Sequence, residues 1–198
     1  MYLEVNMNKV FVFILSILLS VAFSQNVYAQ EKRGPFYVGF GGSYAIELFD
    51  FPEEVSGFDT NFDNTWGLEA KAGYVVVEDL FNIELVYDYL NKFSTAELDL
   101  EVHTVIFNLK GYIPAYFEKT GFFVNVGGGW IHGISDGTNS FIDKEDDFCV
   151  RLGAGVEHYF IEDLSASFEG NWTTATDDDI GIGDVNFISL TLGLKYHF

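Results

Sequence analysis

Phe187-Ile-Ser-Leu-Thr-Leu-Gly-Leu-Lys-Tyr-His-Phe198 alternates without a break. Ile188, Leu190, Leu192, Leu194, Tyr196 and Phe198 fall on one face, while Phe187, Ser189, Thr191, Gly193, Lys195 and His197 fall on the other. Successive side chains of an extended chain point to opposite sides, so a period of two specifies a β-strand with one oily and one largely polar face.

The same pattern recurs upstream and predicts strands near 36–45, 64–75, 80–90, 102–113, 121–132, 148–160, 164–174 and 186–198. In the second, Trp66, Leu68, Ala70, Ala72 and Tyr74 oppose Gly67, Glu69, Lys71 and Gly73. In the sixth, Phe148, Val150, Leu152 and Ala154 oppose Cys149, Arg151, Gly153 and Gly155. The connections alternate too. Short ones are expected around Glu78-Asp79, Pro114–Thr120 and Glu162-Asp163, and long ones over 46–63, 91–101, 133–147 and 175–185. Eight antiparallel strands joined this way predict an all-β, up-and-down barrel.

Alternation alone does not say which face is inside, because a soluble barrel turns its oily face onto a cavity and a membrane barrel turns it onto lipid. Three features favour lipid. The polar face is crowded with Gly67, Gly73, Gly127, Gly129, Gly153 and Gly155, a poor coat for a soluble protein but a good lining for a narrow lumen. Trp66, Trp130 and Trp172 share the oily face by parity and are predicted at strand ends beside long loops, as an interfacial girdle requires. The polar face also carries near-balanced charge, with Lys71, Lys110, Arg151 and Lys195 against Glu69, Glu84, Glu157 and Glu169. Charges enclosed in a narrow barrel need partners. A turn at 76–79 would set Lys71 directly opposite Glu84.

The amino-terminal segment reads as a secretory signal over residues 1–29, leaving a single barrel domain over 30–198. Lys9 precedes the apolar run Val10–Phe23, and Val27-Tyr-Ala29 offers small residues for cleavage before Gln30. Met7 is the more ordinary start, since Glu4 is odd in a basic leader; an uncleaved anchor is the alternative. The formal net charge is −20, and Lys9 and Glu4 cancel, so the barrel domain keeps it. That charge argues against a nucleic-acid partner. Cys149 is the lone cysteine, which excludes an internal disulfide.

The leader, the alternating strands and the Leu190–Phe198 ending resemble the OmpA/OmpX-like family of small outer-membrane β-barrels, over Gln30 to Phe198. The resemblance implies residence in the bacterial outer membrane among lipid and lipopolysaccharide. It also implies that Leu194, Tyr196 and Phe198 are read by the barrel-assembly machinery. A monomer is expected, and no cofactor. It specifies architecture well and activity poorly.

Two regions carry candidate chemistry. The lumen charges either plug the barrel or line a small gated pore, since eight strands leave room for little beyond side chains. The outer loops hold Glu47, Asp50, Glu53, Glu54, Asp59 and Asp63; Glu97, Asp99 and Glu101; Asp136, Asp143, Glu145, Asp146 and Asp147; and Asp177, Asp178, Asp179 and Asp184. Such acids would bridge divalent cations or meet a surface partner together with loop aromatics such as Phe51 and Phe58, but no calcium-loop spacing is present. Catalysis on lipid would need a nucleophile near His103 or His132; Ser135 and Asp136 follow His132, yet no nucleophile motif groups them. His158 and His197 are expected in girdle or turn roles. The reading is therefore a non-enzymatic barrel with a structural or adhesive role, with a small channel as the alternative.

Overall fold

The computed structural model describes residues 34–48, 63–94, 98–113, 119–137, 145–176 and 185–198, and leaves out the side chains of 98, 135–137 and 145. The leader and the loop acids Asp50, Glu53, Glu54, Asp59, Glu97, Asp143, Asp177, Asp178, Asp179 and Asp184 lie outside the described residues.

Eight antiparallel strands close in chain order, with β8 returning to β1. They are β1 (Phe36–Glu47), β2 (Thr65–Val77), β3 (Phe81–Ser94), β4 (Leu98–Ile113), β5 (Thr120–Gly137), β6 (Glu145–Ile161), β7 (Leu164–Ala175) and β8 (Asn186–His197). Among the described residues no helix is long and apolar enough to cross a membrane, which says nothing of strands.

The β3–β4 and β5–β6 connections are shorter than the spacing predicts, because both hairpins extend to Ser94/Leu98 and Gly137/Glu145. Phe93 and Leu100 continue the inward pattern past the expected strand ends, and their burial keeps the ladder going. At the opposite end β2 and β3 meet in a tight turn where Asp79 takes φ 55°. Asp tolerates that left-handed conformation better than a branched residue would.

Partners can be followed once around the wall: Tyr37, Gly73, Glu84, Asn108, Gly127, Arg151, Thr173 and Phe187, returning to β1 at Glu47. The path re-enters β1 ten residues from its start. With strands ~4.8 Å apart and ~3.3 Å per residue, that stagger tilts them by about 40°. Each strand step therefore climbs slightly more than one residue's rise.

On this ladder Trp66, Trp130 and Trp172 fall within about 5 Å of one level. Trp130 does so although it lies well inside β5 rather than at its end, because β4 and β5 project beyond their neighbours at the loop end. A second aromatic ring at the turn end includes Phe36, Tyr74, Phe122, Tyr196 and Phe198, all outward and exposed. The two levels are about 22 Å apart, close to the ~25 Å apolar band of an outer-membrane barrel.

Between the rings the wall is inside out for a soluble protein. Leu192 is 65% exposed and Phe40 70%, whereas Lys110 is 0% and Arg151 1%. So continuous an apolar belt would be untenable in water and suits hydrocarbon.

Candidate functional site

The lumen is built from the inward residues of every strand, and it is layered. Nearest the turn end, Glu84 and Glu157 are held by Lys110 and Lys195. Lys110 Nζ lies 2.7 Å from Glu84, and Lys195 Nζ lies 2.9 Å from Glu157 and 3.6 Å from Glu84. Hydroxyls add to these pairs: Tyr37 donates to Glu84 at 2.8 Å, and Tyr112 and Ser165 both donate to Glu157 at 2.6 Å. Lys110 also sits 4.1 Å from the centre of the Phe123 ring, a cation–π contact in a dry setting.

The lumen glycines make room for these long side chains. A Cβ on Gly73 would sit 2.1 Å from the Tyr37 ring, and one on Gly153 would sit 2.0 Å from Asn171 Oδ1. Small residues on one strand are thus filled by large ones from the next.

One level up, Lys71 bridges Glu69, at 2.7 Å, and Glu169 across the lumen. Lys71 does not face Glu84. The register pairs Lys71 with Val86 and Gly73 with Glu84. β2 runs on to Val77 through a bulge, which moves the turn and shifts the pairing by two residues.

Above this, Arg151 donates to Asp88 at 2.5 Å and to Thr173 at 3.0 Å, while Thr104 donates to Asp88 at 2.7 Å. Asp88 was legible as a polar-face residue of β3, but nothing in the sequence marks it as the Arg151 partner. The two are 63 positions apart.

The loop end of the lumen is apolar, which the alternation did not foretell. Ala45, Leu90, Phe93, Leu100, Val102, Ile106, Ile131, Cys149, Ala175, Val185 and Phe187 form one buried cluster. By the ladder all of it but Ile106 lies at and above the tryptophan level, over the Arg151–Asp88 pair. A bulge between Leu90 and Phe93 turns both inward, which helps to fill the mouth. Cys149 is fully buried there as a small filler. Any ion on the axis would have to pass an apolar layer and then a lattice of paired charges.

The remaining candidates separate. His197 is buried in the lumen with its ring 4.9 Å from that of Tyr37, not in a girdle or turn. Its place in the alternation, opposite Tyr196, puts it inside. His158 faces outward and bonds Thr120 at 2.8 Å. His103 and His132 face each other on the outer wall of β4 and β5. His132 pairs with Asp146 at 2.6 Å. Leu194, Tyr196 and Phe198 are outward and exposed.

A closed wall, an apolar belt bounded by two aromatic levels and a filled polar interior define an integral outer-membrane β-barrel. The chain belongs to the outer membrane protein beta-barrel domain family, whose model matches residues 15–198. Solved structures share the architecture. Neisserial surface protein A superposes with TM-score 0.68 at 11% identity, covering 85% of this chain and all of its own. OprG of Pseudomonas aeruginosa gives 0.62 at 12%, covering 86% and 99%. Ail, the attachment invasion locus protein of Yersinia pestis, gives 0.54 at 15%, covering 84% and 100%. No curated protein matches the sequence.

Proposed function

We propose that this chain is a sealed outer-membrane barrel whose function is carried at its loop end, as surface interaction, adhesion or envelope support. The observation that carries this reading is the filled lumen. Its ion pairs tie five buried carboxylates to four cations, and its apolar cluster stops the outer mouth. A barrel filled in this way has its outer loops and outward wall left to meet partners, within lipopolysaccharide and lipid. The loops' excess of acid favours a partner of basic character or one bridged by divalent cations. Ail, named for attachment and invasion, is a barrel of the same fold. The proposal takes no cofactor and no catalytic step. His132 is engaged by Asp146 on the open wall, and no nucleophile motif accompanies it in the sequence. The exposed terminal residues Leu194, Tyr196 and Phe198 serve assembly, and the barrel acts as a monomer.

Exchange of residues 49–62 and 138–144 for short neutral turns tests the reading. Cells bearing the exchanged barrel should lose attachment to the host or envelope surfaces that the parent binds, while the protein keeps its heat-modifiable, folded mobility. Unchanged attachment by a folded, loop-exchanged barrel would remove the loops from the account.

A further inference from the structure

On the outer wall of the projecting strands, His103 of β4 and His132 of β5 are direct cross-strand partners. Their ring centres are 6.3 Å apart. The ladder places both at and just above the tryptophan level, where the wall leaves the lipid. Both rings are partly open to solvent.

Each ring is oriented by a second polar group. His132 Nδ1 lies 2.6 Å from Asp146 Oδ1. A carboxylate can only accept there, so Nδ1 carries the proton and Nε2 keeps its lone pair. This is the carboxylate–histidine arrangement that supports a metal-bound imidazole. His103 Nδ1 meets the Tyr87 hydroxyl at 2.8 Å, and its Nε2 lies 2.9 Å from Glu101 Oε1. Ligands sharing one tetrahedral zinc ion at 2.0–2.1 Å stand about 3.3 Å apart, so Glu101 and His103, at 2.9 Å, need to part only slightly to become neighbouring ligands.

We propose that Glu101, His103 and His132 bind one divalent late-transition-metal ion, zinc by its chemistry, with Tyr87 and Asp146 orienting the two imidazoles. Among the described residues no three such side chains are already placed to hold an ion, so binding requires the two rings to rotate toward each other. Two imidazoles bound through Nε2 to tetrahedral zinc place their ring centres about 5.2 Å apart. The present spacing is therefore about 1 Å too wide, within reach of side-chain rotation on an open wall. On binding, the His103 proton moves from Nε2 to Nδ1, where the Tyr87 oxygen accepts it. Each ring then binds through Nε2 with its proton on Nδ1. The remaining coordination position faces water, and the ion ties β4 to β5 where they rise above the membrane.

Zinc titration of the full chain in detergent micelles tests this, with excess calcium present to occupy oxygen-only sites in the acidic loops. One equivalent should bind, with affinity falling at least about tenfold in His103→Ala and in His132→Ala, and about tenfold in Tyr87→Phe. His158→Ala should bind as the parent does. Cobalt in place of zinc should give the visible absorption of a four-coordinate site. All five side chains lie on the outer wall, and heat-modifiable gel mobility verifies that each variant is folded. Equal uptake by a folded His103→Ala/His132→Ala variant would overturn the proposal, as would absence of calcium-resistant uptake by the parent chain.

Discussion

Arg151→Met should destabilise the barrel by about 3–5 kcal/mol, because it strands a carboxylate in the dry half of the lumen. Asp88 would keep only the Thr104 hydroxyl, directly beneath the apolar cluster. Water cannot readily replace the guanidinium there, since Asp88 and its neighbours Thr104 and Thr173 are all buried. The reverse change, Asp88→Leu, strands the guanidinium and should cost a similar amount. The double variant Arg151→Met/Asp88→Leu should recover most of the loss, because a filled apolar pair in place of a buried ion pair is often neutral. Urea unfolding in lipid vesicles, followed by tryptophan fluorescence, gives the four corners of this cycle. Additive losses in the double variant would mean that the two groups act independently, contrary to the 2.5 Å contact.

Leu192→Arg should cost about 2–4 kcal/mol, the penalty for a cation at the middle of the lipid-facing band. Leu192 is 65% exposed, and the strand ladder places it halfway between the two aromatic levels. In a water-soluble barrel an exposed leucine would accept arginine at no cost, so the sign of the effect separates the two environments. Trp130→Arg supplies the depth control. At the interfacial level the same charge should cost only about 0–1 kcal/mol. Equal costs at both positions would contradict the assigned membrane level.

The alternation of β8 reads directly because one face contacts lipid and the other polar atoms, and every second residue must answer to a different solvent. For the same reason Lys71, Lys110, Arg151 and Lys195 could be assigned to the lumen from parity alone. Which carboxylate each one meets could not. Pairing depends on register, and bulges between Val75 and Val77, Leu90 and Phe93, and Tyr159 and Ile161 reset it. The expected Lys71–Glu84 contact failed for this reason, and Glu84 is instead served by Lys110 and Lys195.

The apolar stopper is not legible in the sequence because its members are spread over the strands and none stands out alone. Leu100 stands between Asp99 and Glu101 in a stretch read as loop, and Val102 opens the expected strand beside His103. Only closure of the wall shows that the hydrophobic members of this alternation point to the axis. The outward histidine pair was equally hidden, since His103 and His132 become neighbours only through the β4–β5 register.

The central claim, a lumen closed to ions, is tested most directly by planar-bilayer conductance of the purified, folded chain. The Glu84→Lys/Lys110→Glu exchange should be recorded beside it. The filled lumen predicts silence from both proteins at protein levels where insertion is independently verified. Discrete openings from the parent chain, with an ion preference altered by the exchange, would contradict the account and make these ion pairs the gate of a channel.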